Sequence, residues 1–174
     1  MDNHFGQVTQ LRAKERGGPP RLYFAYSTVL DRAAFEQWRA EHGYTAFNLP
    51  AGEKAEALDV SLVFDFPSRW WGGRVAGLCD QANARVHGLL FEIAAEDWPI
   101  VQHKEGAVTG MSIERKVPVQ TSKGMFTATA FTTHPDRASR DGAISERFME
   151  ALERGARNAG LPESYVQGLR GLAR

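Results

Sequence analysis

The order in which two kinds of apolar pattern occur constrains this chain more than any other feature. From Arg21 to Thr133 the apolar residues come in short runs broken by turn formers; after His134-Pro135 they recur at helical spacing. Leu22-Tyr23-Phe24-Ala25-Tyr26 suits a strand buried on both faces. Asp31 then stands where a helix N-cap belongs, Phe35 and Trp38 follow at a helical interval, and Gly43 closes the segment. Residues 58–64, 74–78 and 85–93 read as short strands separated by Pro67, Gly72-Gly73 and Asn83. A short helix near 95–103 tolerates Pro99 in its first turn. Two further strands, 108–119 and 125–133, meet at a Lys123-Gly124 hairpin turn. Ile144, Phe148, Leu152 and Gly155 then share a helical face, and Gly160-Leu161-Pro162 precedes a last helix with Tyr165 and Leu169. Strands grouped together, with helices early and late, predict an α+β fold around a closed or strongly curled sheet, not a doubly wound nucleotide fold.

The first twenty residues are polar and end in Gly17-Gly18-Pro19-Pro20, which no helix or strand interior tolerates. They are expected to form a flexible arm, residues 1–20, ahead of one domain, residues 21–174. At 174 residues and 43% hydrophobic, the chain can bury its own core without disulfides or metals. Lys plus Arg and Asp plus Glu both number 21, so nothing steers the chain toward nucleic acid or anionic lipid. The lone Cys79, the absence of a signal-peptide pattern in MDNHFGQVTQ, and the lack of a membrane-length apolar run favour a reducing cytoplasm and no membrane partner.

His4, His42, His87, His103 and His134 pair neither with one another nor with Cys79 at metal-ligand spacing, so no metal is expected. Phosphate-binding glycine loops are missing, and Ser27 has no nucleophile elbow around it. Carboxylates remain as candidates. Glu146, Glu150 and Glu153 lie off the apolar face of their helix and read as solvated. Glu105 falls in His103-Lys104-Glu105-Gly106-Ala107, between a short helix and a strand, where rigid flanks can aim a side chain into a cavity.

Five segments, in order, resemble the gamma-glutamylcyclotransferases. They are Leu22 to Tyr26; Trp70-Trp71-Gly72-Gly73-Arg74-Val75-Ala76; Val86-His87-Gly88-Leu89-Leu90; Glu105-Gly106-Ala107-Val108-Thr109-Gly110-Met111; and Gly155 to Tyr165 with its Gly160-Leu161-Pro162. The resemblance covers Arg21 to the end. It implies a small mixed, largely antiparallel β-barrel flanked by helices, often dimeric, that needs no cofactor and converts a γ-glutamyl amide to 5-oxoproline and a free amine. In such a reaction the substrate's own α-amine is the nucleophile, and a carboxylate takes its proton and returns one to the leaving amine. Glu105 matches the family's acid/base glutamate. The loop Tyr26-Ser27-Thr28-Val29-Leu30 matches the segment whose backbone amides hold charged oxygens, and Arg74 is a candidate for a substrate carboxylate.

The sequence also departs from the family. Tyr-Gly-Ser-Asn-Leu has become Tyr26-Ser27-Thr28-Val29-Leu30, so a turn needing glycine would cost Ser27 on the order of 1 kcal/mol. Ser112 and Phe131 stand where tyrosines are usual, which removes two phenolic hydroxyls from the substrate-binding set. These changes leave an alternative beside the enzyme: a weak or inactive relative that binds a small molecule or a protein in the same cavity. Trp70, Trp71 and Tyr165 read as packing, Gly88 as a close backbone approach, and His103 as an exposed helix-end residue.

Overall fold

A computed structural model describes residues 4–173. Five strands close into a barrel in the order β1-β3-β2-β4-β5: β1 (Arg21–Ala25), β2 (Glu53–Ser68), β3 (Gly73–Ile93), β4 (Ser112–Thr121) and β5 (Gly124–Thr133). All neighbours are antiparallel except the closing pair, where β1 lies parallel to β5 at Tyr23 and Thr129. Five helices flank the barrel: α1 (His4–Glu15), α2 (Arg32–Glu41), α3 (Trp98–Lys104), α4 (Glu146–Asn158) and α5 (Glu163–Leu172).

Alternation along β1 divides the core in two. Phe24 and Tyr26 join a cluster that includes Phe64, Val86, Val119 and the inner faces of α4 and α5. Tyr23 and Ala25 join another, with Val8, Phe35, Trp38, Phe91, Trp98 and Phe131. The early helices therefore cover one side of this strand and the late helices the other.

Three expectations are corrected. The first twenty residues carry α1, which contacts α3 and the turn before it, with Val8 fully buried and Arg12 paired to Asp97 at 2.8 Å. The Gly17-Gly18-Pro19-Pro20 breaker ends this helix; it does not prevent one. The three short strands of the middle are two long ones, because β2 continues through Pro67 and β3 through Asn83. Asn83 lies in an unpaired irregularity of the β2–β3 ladder and does not separate two strands. It takes φ 63° opposite Asp59 at φ 57°, and its amide donates to the Asp59 carboxylate at 2.9 Å.

Local signals elsewhere act as their chemistry requires. Asp31 caps α2 by accepting the Ala34 amide, Ser145 caps α4 by accepting that of Phe148, and Pro99 occupies the first turn of α3. Gly88 has no room for a side chain, since a Cβ would lie 2.2 Å from the Ala25 carbonyl oxygen.

Candidate active site

Glu105 is fixed by the way α3 ends. It is the last half-helical residue, and Gly106 follows at φ +82°, a left-handed conformation that glycine adopts freely. The Gly106 amide donates to the His103 carbonyl at 3.1 Å and the Ala107 amide to that of Gln102 at 2.8 Å. These two bonds form a Schellman closure and set the direction in which Glu105 leaves the helix. Ser112, at the start of β4, donates from Oγ to the Glu105 carbonyl at 2.7 Å and ties the junction from its other side.

The side chain meets a cavity of about 80 Å3 lined by Tyr26, Ser27, Thr28, Lys104, Ser112 and Phe131, and narrowed by Phe66, Trp71 and Phe148. The Tyr23 hydroxyl donates to the Glu105 carboxylate. Burial pushes the Glu105 carboxyl above its ordinary range, while the Tyr23 hydrogen bond and the Lys104 charge act in the opposite direction. Burial also lowers Lys104 and raises the Tyr23 phenol, the latter with help from the neighbouring Glu105 charge. A carboxyl poised above the usual carboxylate range is suited to both accepting and returning a proton.

After β1 the chain makes a 3-10 turn over Thr28–Leu30, with the Leu30 amide donating to Ser27 at 3.1 Å and that of Asp31 to Thr28 at 3.0 Å. The Thr28 and Val29 amides find no protein acceptor among the described residues. Ser27 has φ −123°, so the turn does not call for glycine and the expected strain is absent. Asp31, 2% exposed, anchors the turn to α4 through Arg154 at 2.7 Å. Lys104 reaches across to the Thr28 hydroxyl at 3.4 Å.

Of the nine residues singled out from sequence, six line this cavity: Glu105, Tyr26, Ser27, Thr28, Ser112 and Phe131. Val29 and Leu30 are buried, in different halves of the core, and do not line it. Arg74 is elsewhere: its Nε donates to the Gly142 carbonyl at 2.9 Å and its Nη1 to that of Phe64 at 2.6 Å, which clamps the loop before α4. Tyr26 spends its hydroxyl on the Phe131 carbonyl. The Phe131 ring packs against Tyr23 and Trp98, so neither Ser112 nor Phe131 supplies a hydroxyl pointing into the site.

Sequence reasoning passed over Tyr23 and Lys104 and read Trp71 as packing, whereas Trp71 lines the cavity. For Tyr23 a signal existed: a tyrosine buried in a strand needs a partner for its hydroxyl. His103, expected to be exposed, is partly buried beside Tyr44, whose hydroxyl lies 2.7 Å from its Nδ1, and burial lowers its pKa to about 4. Among the described residues no group of three or more His, Cys, Asp or Glu gathers to hold a metal. No described helix is long and apolar enough to cross a membrane.

Residues 85–169 match the AIG2-like family. Among solved structures, a gamma-glutamyl cyclotransferase superposes with a TM-score of 0.69 at 21% identity, over 87% of this chain and 86% of that one. The Homo sapiens protein loc79017 gives 0.69 at 22%, over 87% of both chains. YkqA from Bacillus subtilis gives 0.72 at 19%; the match takes in 94% of this chain but 57% of YkqA. Comparison with curated protein sequences gives no match. Residues 85–169 thus resemble the AIG2-like family, and the barrel has the fold of the gamma-glutamyl cyclotransferase structure.

Proposed function

We propose that the chain is a cyclotransferase that converts a γ-glutamyl amide to 5-oxoproline, with Glu105 as general acid and base. The observation that carries this reading is the enclosure of Glu105, hydrogen-bonded to Tyr23, in one cavity with the turn that follows β1. The substrate's α-ammonium loses a proton to the Glu105 carboxylate, and the freed amine attacks the γ-carbonyl carbon. As the new C–N bond closes the five-membered ring, the carbonyl oxygen gains negative charge, and the amide of Thr28, which lines the cavity and has no backbone acceptor among the described residues, is a donor that can receive it. Glu105 then returns the proton to the departing nitrogen as the old C–N bond breaks. No cofactor takes part, and atoms balance between amide, 5-oxoproline and amine. A cytoplasmic setting fits the single free Cys79; light scattering tests the dimer implied by the resemblance.

A second reading has an observation of its own. At about 80 Å3 the cavity is well below the usual range for ligand pockets, and Trp71 and Phe148 narrow it. A relative that binds a small group there without turning it over would look the same. The experiment is incubation of purified protein with γ-glutamyl amino acids, γ-glutamyl amines and glutathione, with 5-oxoproline read by mass spectrometry. Product that disappears in Glu105→Gln is the expected result; binding with no product from any compound selects the second reading.

A further inference from the structure

Three imidazoles meet where α1 lies on α3. The centroid of the partly buried His103 ring is 5.6 Å from that of His4 on α1 and 5.2 Å from that of His42, which ends α2. The Trp38 ring packs on both neighbours, 4.6 Å from His42 and 5.3 Å from His103. Nδ1 of His42 lies 2.7 Å from the Trp38 carbonyl oxygen. Nδ1 of His103 lies 2.7 Å from the hydroxyl of buried Tyr44, whose ring in turn stands 5.7 Å from Phe5 of α1. His103 therefore joins α1 and the end of α2 to the last turn of α3, and its carbonyl accepts the Gly106 amide in the closure that aims Glu105.

Positive charge surrounds this group. Lys104 of α3 stands 5.5 Å from the centroid of the same Trp38 ring, Arg12 of α1 acts on Tyr44, and Arg39 of α2 donates to the Tyr44 and Thr45 carbonyls. The acids of these elements are engaged elsewhere: Glu36 with Arg39, Glu41 with Gln37, Asp97 with Arg12, and Glu105 with Tyr23. Among the described residues the histidines paired with a carboxylate are His87, with Glu56, and His134, with Asp136. Burial, with the charges of His42, His4 and Lys104, lowers His103 to about 4, and burial raises Tyr44 to about 12. The phenol thus keeps its proton and can donate it to a neutral His103, whereas a protonated ring would bring a second hydrogen into that contact.

We propose that the cluster is a pH-sensitive latch: with its imidazoles neutral it holds α1 against α3, and when they take up protons the crowded positive charge releases α1 and loosens the helix end that carries Glu105. The sign follows from linkage. An imidazole ordinarily titrates near 6.5 and His103 is lowered when docked, so the docked arrangement is fully favoured above about 6.5 and loses that advantage as pH falls from there toward about 4. The latch concerns how Glu105 is mounted and does not depend on the cyclotransferase reading.

Amide hydrogen exchange of the full chain, expressed as protection factors, tests this at two pH values, one near 7.5 and one near 5. Residues 4–15 and 98–104 should lose protection roughly tenfold at the lower pH, a value discounted for the partial exposure of the ring. Helix α5, whose buried residues belong to the other half of the core, should change much less. His103→Asn keeps a polar group for Tyr44 and takes no charge, so it should retain protection at the higher pH and remove most of the loss at the lower one. Where that variant is unprotected at both, the double variant His4→Gln, His42→Gln decides, since it removes the repelling neighbours and should also reduce the loss. No loss in the parent, a loss as large in α5 as in α1, or an undiminished loss in the deciding variant overturns the latch.

Discussion

The Tyr23 hydroxyl donates to the Glu105 carboxylate across the seam between β1 and α3, and Lys104, one residue before Glu105, adds a positive charge on the same side of the balance. Burial alone favours the protonated acid; these two neighbours favour the carboxylate. Burial is the larger influence, and these two neighbours partly offset it.

Tyr23→Phe removes one of the two counterweights, so the Glu105 carboxyl should titrate at a higher pH. If the carboxylate is the base, the acid limb of the kcat/KM profile moves to higher pH by the same direction. At pH 7 the loss should be roughly tenfold, the usual cost of a hydrogen bond to a charged group. Lys104→Met should move the limb the same way. An acid limb that stays in place in both variants would show that another group sets it.

Glu105→Gln should abolish most turnover, a loss of roughly 10²- to 10⁴-fold for general acid–base catalysis, and yet stabilise the fold. The sign follows from linkage: the folded pKa lies above the ordinary 4.5, so this residue's contribution is most favourable below that value and is lost as pH rises through the raised one. At pH 8 the neutral amide avoids the burial of charge, a gain of about 1 kcal/mol, the common scale for relieving a functional site. The melting temperature should rise by about 2–4 °C. The gain should shrink toward pH 4, and a variant less stable than the parent at pH 8 would contradict the assignment.

Gly155 sits where α4 touches the turn after β1, and a Cβ there would lie 2.6 Å from the Asp31 amide nitrogen and 2.9 Å from the Leu30 carbonyl carbon. Both neighbours are backbone, so they can give way only by moving the turn. Gly155→Ala, ordinarily favourable within a helix, should cost about 1–3 kcal/mol as overpacking. It should also raise KM, because the same turn carries Ser27 and Thr28 into the cavity. A variant with parental stability and KM would show that α4 does not hold the turn in place.

The elements that announce themselves locally were legible in the sequence: Asp31 as a cap, Pro99 in a first turn, the β4–β5 hairpin near Lys123-Gly124, and the apolar face through Phe148, Leu152 and Gly155. The closed α+β barrel followed from their order. Pro67 and Asn83 misled because each is a turn former that a long strand absorbs, Pro67 near the end of β2 and Asn83 in an unpaired irregularity closed by Asp59. In the candidate site, Glu105 stood out because it falls between a short helix and a strand, and the structure places it at that junction. Tyr23 and Lys104 did not, since their contacts depend on how β1 packs against α3, which no local pattern encodes. Arg74 misled for the same reason: its two carbonyl partners come from distant segments.

That dependence on packing makes α1 part of the site at one remove. It touches α3 and the turn before it, Val8 is fully buried there, and Arg12 reaches Asp97. The ion pair is partly exposed and should contribute about 0.5 kcal/mol. Val8 is a core side chain, so Val8→Ala should cost about 2 kcal/mol, against about 0.5 kcal/mol for Arg12→Ala. Because α3 ends at Glu105, loosening its support should appear as faster amide hydrogen exchange across Trp98–Lys104, with a smaller effect in α5, whose buried residues belong to the other half of the core. Equal exchange in α3 of Val8→Ala and parent would show that α1 is carried by the domain without steadying its acid.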